Sequence, residues 1–172
     1  EAGVGFVPED RKVDGLVAEF TVAENLMLDR STGAPFAQGF SIDFAHRDEF
    51  ADASIAEFDI RTPGKDTLVG RLSGGNQQKV VLGKWFVTDS KVLILDEPTR
   101  GVDVGAKAEI YRLLEELVAQ GKSIIMVSSE LPEIIGMSDR VIIMNEGIKQ
   151  KELDHTEFSE ELILNYAIGG NK

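Results

Sequence analysis

The sequence contains no cysteine, which excludes disulfide bridges, thiolate metal sites and a cysteine nucleophile. Long apolar runs are missing as well. The longest clear ones, such as Val92 to Leu95, are far shorter than the roughly 20 residues that a membrane-spanning helix needs. We therefore expect a chain without transmembrane helices.

Basic side chains are scarce relative to acidic ones. The chain has 18 Lys and Arg residues against 30 Asp and Glu residues, so its formal net charge is -12. A chain this acidic has no overall attraction for phosphate backbones or anionic lipid, which makes nonspecific nucleic-acid binding a poor hypothesis. Hydrophobic residues make up 42% of the 172 residues, enough for the core of one ordinary domain or two small ones.

The first half of the chain predicts a strand followed by helices and loops. Residues 3–7 are apolar and end at Pro8, as is typical of a strand, and the charged residues 9–12 then predict a loop. Thr21 and Glu24 have the spacing of a capping box, so we expect a helix to begin there. Residues 31–43 predict a loop, and residues 44–58 predict a further helix.

The second half predicts alternating strands and helices. Residues 92–95 and 124–127 are apolar runs typical of parallel strands that are covered on both faces. Residues 141–148 predict a hairpin around Asn145-Glu146-Gly147, and Ser159 or Thr156 is expected to cap a last helix. Between the two strands we predict a helix that ends at Gly121. Its apolar stripe comprises Ile110, Leu113, Leu114, Leu117 and Val118.

Two adjacent carboxylates, Asp96 and Glu97, directly follow the first of these apolar strands. A desolvated carboxylate needs a cation, a proton or several hydrogen-bond donors, and ligands of parallel sheets bind at such carboxyl ends. One acid could hold Mg²⁺ while its neighbour orients and deprotonates an attacking water. The structural alternative is a solvated strand end with a turn.

Upstream of these acids, Ser73-Gly74-Gly75 precedes a helix-forming stretch. Backbone amides left uncovered at a helix N-terminus favour a phosphate, through both the unpaired donors and the helix dipole. A Ser-capped helix that starts with a glycine turn is the structural alternative. This pattern alone leaves both interpretations open.

Together the two features resemble the motifs of ABC ATPases. Residues 72–79, Leu-Ser-Gly-Gly-Asn-Gln-Gln-Lys, resemble the signature motif, and residues 92–98 resemble the Walker B strand, in the family's order. Asp103 lies where the family has its D-loop, and residues 21–26 resemble the segment after the Q-loop. The resemblance covers essentially the whole chain. It implies an α/β fold, namely a partial P-loop NTPase domain with a mostly parallel sheet, flanking helices and an α-helical subdomain.

A narrower resemblance is to the second nucleotide-binding domain of the ATP-binding subunit of ribose, galactose and xylose importers. It is carried by residues 8–16, residues 99–107 and residues 128–133, which include Pro-Glu-Asp-Arg-Lys, Thr-Arg-Gly-Val-Asp and Ser-Ser-Glu-Leu-Pro-Glu. The chain resembles the C-terminal part of that domain. About residues 9–90 would then form the helical and signature subdomain, and residues 91–172 the Walker B part.

The Walker A cradle of the family, GxxxxGK[ST], has no match in the sequence. The triplet Gly121-Lys122-Ser123 has Glu116 where the first glycine belongs, and it leads from a predicted helix into a predicted strand. The sequence also opens with Glu1 rather than Met and has no signal-peptide pattern. We interpret the chain as a piece cut from a larger protein, with the cradle before residue 1, and we expect it to be inactive alone.

Two further positions depart from the family's pattern. Glu9 stands where the family usually has the Q-loop Gln, and Ser129 stands where it usually has the switch His. A hydroxyl cannot supply the contact of an imidazole, and Glu9 adds negative charge near the phosphates. His46 and His155 are not substitutes, because their polar surroundings indicate surface positions.

The resemblance also implies ligands and site residues. In ABC ATPases each ATP is held between the Walker motifs of one domain and the signature motif of its partner. ATP and Mg²⁺ are thus the implied cofactors, with Asp96 at the metal and Glu97, Glu9 and Ser129 around the reacting groups. The residues implied to contact nucleotide are Ser73, Gly74, Gly75, Gln77 and Asp103.

The function implied is ATP hydrolysis that energises sugar uptake, by a peripheral subunit at the cytoplasmic face of the inner membrane. The implied partners are a second nucleotide-binding domain, transmembrane permease subunits and, indirectly, a periplasmic sugar-binding protein, with no nucleic acid. Two alternatives stay open: a soluble ABC ATPase without a permease, and a regulatory domain that binds ATP at a degenerate site.

Overall fold

The structure is a computed structural model and describes residues 3–31, 33, 36–38, 41–86 and 90–170. The chain divides into two units, Glu1–Val127 and Ser128–Lys172. The strands are β1 (Val4–Val7), β2 (Ala37–Gln38), β3 (Ser41–Ile42), β4 (Val92–Asp96), β5 (Ser123–Val127), β6 (Arg140–Asn145) and β7 (Ile148–Asp154). The α-helices are α1 (Val22–Met27), α2 (Phe44–Glu57), α3 (Gly74–Phe86), α4 (Val104–Ala119), α5 (Leu131–Met137) and α6 (Glu160–Ala167).

A parallel sheet in the order β1-β4-β5 organises the first unit. Its register pairs Val7 with Leu95 and Asp96 with Val127, so the carboxyl ends of the three strands meet at one edge. The side chains that alternate on one face are buried, including Val7, Leu93 and Leu95. The predicted strands and the crossover through α4 are confirmed. The expected cover on both faces is wrong for β5, because Ile125 and Val127 are 55% and 52% exposed. The carboxylates that follow β4 lie at the edge where parallel sheets bind ligands.

The predicted capping box is present at the start of α1. Thr21 Oγ1 accepts a hydrogen bond from the Glu24 amide at 3.2 Å, and the Glu24 carboxylate accepts one from the Thr21 amide at 2.7 Å. The hydrogen bond from the Thr21 amide, together with one that Thr21 Oγ1 donates to the same carboxylate at 2.8 Å, lowers the pKa of Glu24 below its ordinary value. Helix α1 packs against α2 and α3, and α3 in turn contacts β1 of the sheet.

The apolar stripe of α4 is narrower than predicted. Four of its five residues are buried, but Val118 is 49% exposed. At 3.6 residues per turn, Val118 lies about 80° around the helix from Ile110, at the margin of the buried arc. The helix is followed by Gly121 at a φ of 90°, a left-handed conformation that glycine adopts without strain.

Two segments predicted as loops contain regular structure. Residues 9–12 run into a π-helical turn, Arg11–Gly15, because the Asp10 carboxylate accepts hydrogen bonds from the amides of Lys12 and Val13. Within residues 31–43, β2 and β3 form a short antiparallel pair. Strands of two residues are too short to produce a period in the sequence, and residues 32, 34, 35, 39 and 40 lie outside the described residues.

The second unit contains the predicted hairpin and last helix. Strands β6 and β7 are antiparallel, with Glu146 and Gly147 at positive φ in the turn between them. Ser159 Oγ accepts a hydrogen bond from the Leu162 amide at 3.2 Å, so Ser159 rather than Thr156 caps α6. The hydrophobic core of the unit consists of Val141, Ile143, Leu153 and Ile163, with Leu162 and Tyr166 packed against them.

The boundary between the two units follows Val127, whereas the subdomain boundary near residue 90 stays a prediction. Within the described part of the chain, no helix combines the length and the apolar character that crossing a membrane requires.

Candidate functional site

The turn formed by residues 73–75, called here the glycine turn, begins α3. A Cβ atom on Gly75 would lie 2.5 Å from Cβ of Ala106 in α4, so only glycine allows this approach of the two helices. A Cβ atom on Gly74 would lie 2.7 Å from Nη2 of Arg11. Ser73 is exposed, and Gly74 is half-buried. The two glycines therefore serve close packing, while Ser73 remains accessible.

A polar cavity of about 140 Å³ lies between the glycine turn and the start of α4. It brings together three predicted residues, Ser73, Gly75 and Asp103. The Asp103 carboxylate accepts a hydrogen bond from the Ala106 amide at 3.0 Å and thereby caps α4. This cap fixes the start of α4 beside the glycine turn.

Asn76 lines the cavity, although the sequence did not single it out. Its Nδ2 donates a hydrogen bond to Ser73 Oγ at 2.9 Å. The predicted contact residue Gln77 is only 7% exposed, and its Nε2 donates to the Val69 carbonyl at 3.3 Å. The spacing of three residues between Ser73 and Asn76 was the available signal, since such residues are neighbours on a helix.

Charged side chains form a network at the wall of this cavity. Glu109 accepts hydrogen bonds from Arg61 Nη2 at 2.6 Å and from Lys79 Nζ at 2.8 Å. The hydrogen bond from Lys79, together with the charges of Lys79 and Arg61, lowers the pKa of Glu109 below its ordinary value. Glu109 is therefore ionised at neutral pH and balanced by two cations.

The paired carboxylates lie at the carboxyl end of β4 and are both half-buried. Glu97 has a φ of 47°, a left-handed conformation that is uncommon for any residue other than glycine. Its amide donates a hydrogen bond to the Val127 carbonyl at 2.8 Å, which holds this backbone beside the end of β5. Backbone strain of this kind is concentrated at functional sites and supports a role for Glu97.

The carboxylates suit a magnesium ion whose other ligands are waters and the phosphate oxygens of a nucleotide. Among the residues described, no group of three or more His, Asp and Glu side chains is arranged to hold a metal. Mg²⁺ usually keeps several waters and takes only one or two carboxylates along with phosphate oxygens. Asp96 alone supplies the one carboxylate that such an ion requires.

Glu9 lies at the same edge of the sheet, two residues beyond β1 and next to the end of β4. Its carboxylate forms an ion pair with Arg100, and the side chains are 45% and 64% exposed. Arg100 thus offsets the negative charge that Glu9 adds. This role of Arg100 was not predicted from the sequence, in which the available signal is a cation shortly after the two acids.

Ser129 lies in the second unit, where it is exposed. The neighbouring Ser128 hydroxyl donates a hydrogen bond to Glu133 and accepts one from the Glu130 amide at 3.0 Å. Both histidines are exposed, as expected. His46 contacts Asp43, whose hydrogen bond raises the pKa of the imidazole, and His155 packs against Phe158.

Comparison with protein families gives a match over more than half of the chain. The model of the ABC transporter family matches residues 1–100.

Curated relatives match nearly the whole chain. The ribose import ATP-binding protein RbsA of Shouchella clausii is 52% identical over 172 residues, covering 100% of this chain and 34% of the relative. RbsA of Bacillus subtilis is 49% identical over 98% of this chain and 34% of the relative. The xylose import ATP-binding protein XylG of Moorella thermoacetica is 48% identical over 98% of this chain and 33% of the relative. The chain spans about a third of the length of these relatives.

Solved structures share the fold. A dimeric post-hydrolysis state of the ATP-binding cassette MJ0796 bound to ADP and Pi aligns with a TM-score of 0.73 and 22% identity, covering 90% of this chain and 64% of that chain. Another dimeric structure of MJ0796, a bacterial ABC transporter cassette, aligns with a TM-score of 0.72 and 22% identity, covering 90% and 63%. The predicted α/β cassette fold is thereby confirmed.

Proposed function

The chain belongs to the ABC transporter family, and on that premise we propose that it forms part of a subunit that couples ATP hydrolysis to sugar import. The observation that carries the proposal is the presence of two half-sites in one unit. The glycine turn packs beside Asp103, and the paired carboxylates occupy the end of β4. The ribose and xylose import relatives support a sugar as the class of cargo.

One half-site would act on nucleotide bound to a partner domain. Ser73 and the amides of Gly74 and Gly75 would contact its phosphates, because the N-terminus of α3, where Ser73 and Gly75 line the cavity, favours negative charge. Asp103 would position this surface by capping α4. Gln77 would act from within the fold, through its hydrogen bond to the Val69 carbonyl, while Asn76 presents its amide to the cavity.

The other half-site would serve nucleotide bound to the same domain. Asp96 would hold Mg²⁺, which neutralises phosphate charge when it is bound. Glu97 would orient the attacking water and accept its proton, a task that suits a half-buried carboxylate at a fixed position. Glu9, balanced by Arg100, would contribute hydrogen bonds around the reacting groups. The role that the family resemblance implies for the Ser129 hydroxyl stays a prediction.

The proposed assembly pairs this domain with a second nucleotide-binding domain and with transmembrane permease subunits. A periplasmic sugar-binding protein would take part indirectly, and no nucleic acid would bind. The subunit would then be peripheral, at the cytoplasmic face of the inner membrane. About residues 9–90 would form the helical and signature subdomain, in which residues 9–70 would contact the permease, and residues 91–172 would form the Walker B part.

The test is the steady-state ATPase rate and the sugar uptake of the complete subunit, assembled with its permease in lipid vesicles. Replacing Glu97→Gln is expected to lower the ATPase rate by ~100-fold or more, because general base catalysis is lost. The exposed Glu115 of α4 provides a matched control, and Glu115→Gln is expected to leave the rate unchanged. An unchanged rate in Glu97→Gln would contradict hydrolysis at this site and favour a regulatory domain.

A further inference from the structure

Arg11 contacts the loop that follows the paired carboxylates. Its Nη1 donates a hydrogen bond to the Arg100 carbonyl at 2.8 Å, and its Nη2 donates to the Gly101 carbonyl at 3.3 Å. These two acceptors are nearly 90 residues away in the sequence. A planar guanidinium can bond to two neighbouring carbonyls at once, which an ammonium group cannot do in the same fixed geometry.

The same guanidinium lies against the glycine turn. A Cβ atom added to Gly74 would lie 2.7 Å from Nη2 and 3.6 Å from Cζ of Arg11, and 3.2 Å from the Gly101 carbonyl oxygen. Gly74 therefore sits directly against Arg11 and Gly101. One side chain joins the turn that begins α3 to the loop that leads from Glu97 to Asp103.

Further contacts hold residues 9–15 on both sides of Arg11. Glu9 pairs with the side chain of Arg100, whose carbonyl is the acceptor for Arg11. At the other end, the buried Lys84 of α3 donates a hydrogen bond to the Gly15 carbonyl at 2.9 Å. Arg11 is thus fixed between the loop after β4 and the helix that begins at the glycine turn.

The surroundings of Arg11 differ from those of a solvated surface arginine. Its Nε is buried and has no hydrogen-bond partner among the residues that the structure describes. Burial lowers the pKa of Arg11 below its ordinary value, although Asp10 acts in the opposite direction. Desolvation of this kind costs free energy that an arginine serving solubility alone would not incur.

We propose that Arg11 is a positioning residue that couples the glycine turn to residues 99–103, so that the two half-sites of the domain move together. The functional part of this inference rests on the proposed ATPase, since the half-sites would serve different nucleotides. The coupling itself is a property of the protein without nucleotide. It can therefore be tested separately from hydrolysis.

The structural test is hydrogen exchange of the complete subunit without nucleotide, comparing the wild type with Arg11→Met. We expect exchange about tenfold faster both in residues 73–77 and in residues 99–103, because losing one or two hydrogen bonds lowers the free energy of local opening. Lys12→Gln, an exposed neighbour, is the matched control and should change neither segment. Faster exchange in residues 99–103 alone would overturn the coupling.

The functional test is the ATPase rate of the same variants. Arg11→Met is expected to lower kcat by about tenfold with KM for ATP changed less than about twofold, as for a residue that positions other groups. If Arg11→Met does not fold, Arg11→Lys serves as the test variant. It keeps the charge but loses the paired hydrogen bonds of the guanidinium, so it should change kcat in the same direction by a smaller factor. An unchanged kcat in folded Arg11→Met would overturn the positioning role. Failure of the proposed function is a different result: it would appear as an unchanged ATPase rate in Glu97→Gln.

Discussion

Lys79 of α3 is only 1% exposed and donates a hydrogen bond to Glu109 of α4 at 2.8 Å. The same ammonium donates to the Asp59 carbonyl at 2.8 Å. Helix α3 begins at the glycine turn, and α4 begins after Asp103, so this ion pair joins the two helices that border the cavity. The ion pair of Lys79 with Glu109 therefore holds α3 and α4 together beside the cavity.

Replacing Glu109→Gln is expected to lower the free energy of unfolding by about 2 kcal/mol, because the buried Lys79 loses its closest carboxylate. This loss is smaller than the usual cost of breaking a fully buried ion pair. The Asp59 carboxylate lies 3.7 Å from Lys79 Nζ and still offsets part of its charge. Urea denaturation measures the change. Arg112→Gln, which breaks an exposed pair with Glu116, is the control and should cost no more than about 0.5 kcal/mol. Equal losses in the two variants would contradict the prediction.

The same pair predicts a pH dependence of stability. The pKa of Glu109 is lowered in the folded state from its ordinary value of 4.5, first by the hydrogen bond from Lys79. A lowered folded-state pKa stabilises the protein above the unfolded-state pKa, and this contribution disappears as the pH falls through the folded-state value. The free-energy difference between the wild type and Glu109→Gln should therefore be constant near neutral pH and shrink below 4.5. Urea denaturation at a series of pH values measures it, and a constant difference at acidic pH would contradict the assignment.

The two glycines of the turn should differ in their tolerance of alanine. Gly75→Ala places its methyl group 2.5 Å from Cβ of Ala106, a short side chain that cannot turn away, and should cost about 2 kcal/mol by overpacking. Gly74→Ala meets the end of Arg11, a long side chain that can shift by loosening its hydrogen bonds to the Arg100 and Gly101 carbonyls, so a smaller loss of about 1 kcal/mol is expected. Thermal or urea unfolding measures both. Gly136→Ala in α5 has open space around it and should not destabilise the protein; a larger loss for Gly74→Ala than for Gly75→Ala would refute this order.

The backbone of Glu97 predicts a conflict between stability and activity. Because its φ is 47°, Glu97→Gly should raise the free energy of unfolding by about 1 kcal/mol through relief of left-handed strain. Glu97→Gln keeps the strain and should leave stability nearly unchanged. Glu146→Gly, at a φ of 48° in the β6-β7 turn, is the matched control and should also stabilise. No gain in Glu97→Gly alongside a gain in Glu146→Gly would show that the Glu97 backbone is not strained.

Local patterns in the sequence predicted much of the fold. The Thr21 capping box, the apolar stripe of α4 and the turn at Glu146-Gly147 depend on residues that are close in sequence, and the structure confirms them except for Val118 at the margin of the stripe. Pairings between distant segments left no such pattern. Glu9 and Arg11 resemble a solvated loop in sequence, yet both contact Arg100 after folding.

The side-chain directions at the site also required the structure. Asn76 and Gln77 are adjacent amides, and successive residues of a helix lie about 100° apart around its axis. Only the packing of α3 against its neighbours determines that Gln77 is buried and that Asn76 lines the cavity.

The ion pair between Glu9 and Arg100 predicts a charge-dependent effect on nucleotide use by the complete subunit. Arg100→Gln leaves Glu9 uncompensated near the proposed phosphates, so KM for ATP should rise by about threefold at low salt. The substitution keeps the Arg100 carbonyl that Arg11 contacts, which separates this effect from the coupling through Arg11. The double variant Glu9→Gln with Arg100→Gln should restore KM, and the effect of the single variant should fade at high salt because both side chains are exposed. Arg140→Gln, from an exposed pair with Glu152, is the control. A double variant as impaired as the single one would mean that Arg100 acts on nucleotide directly rather than by balancing Glu9.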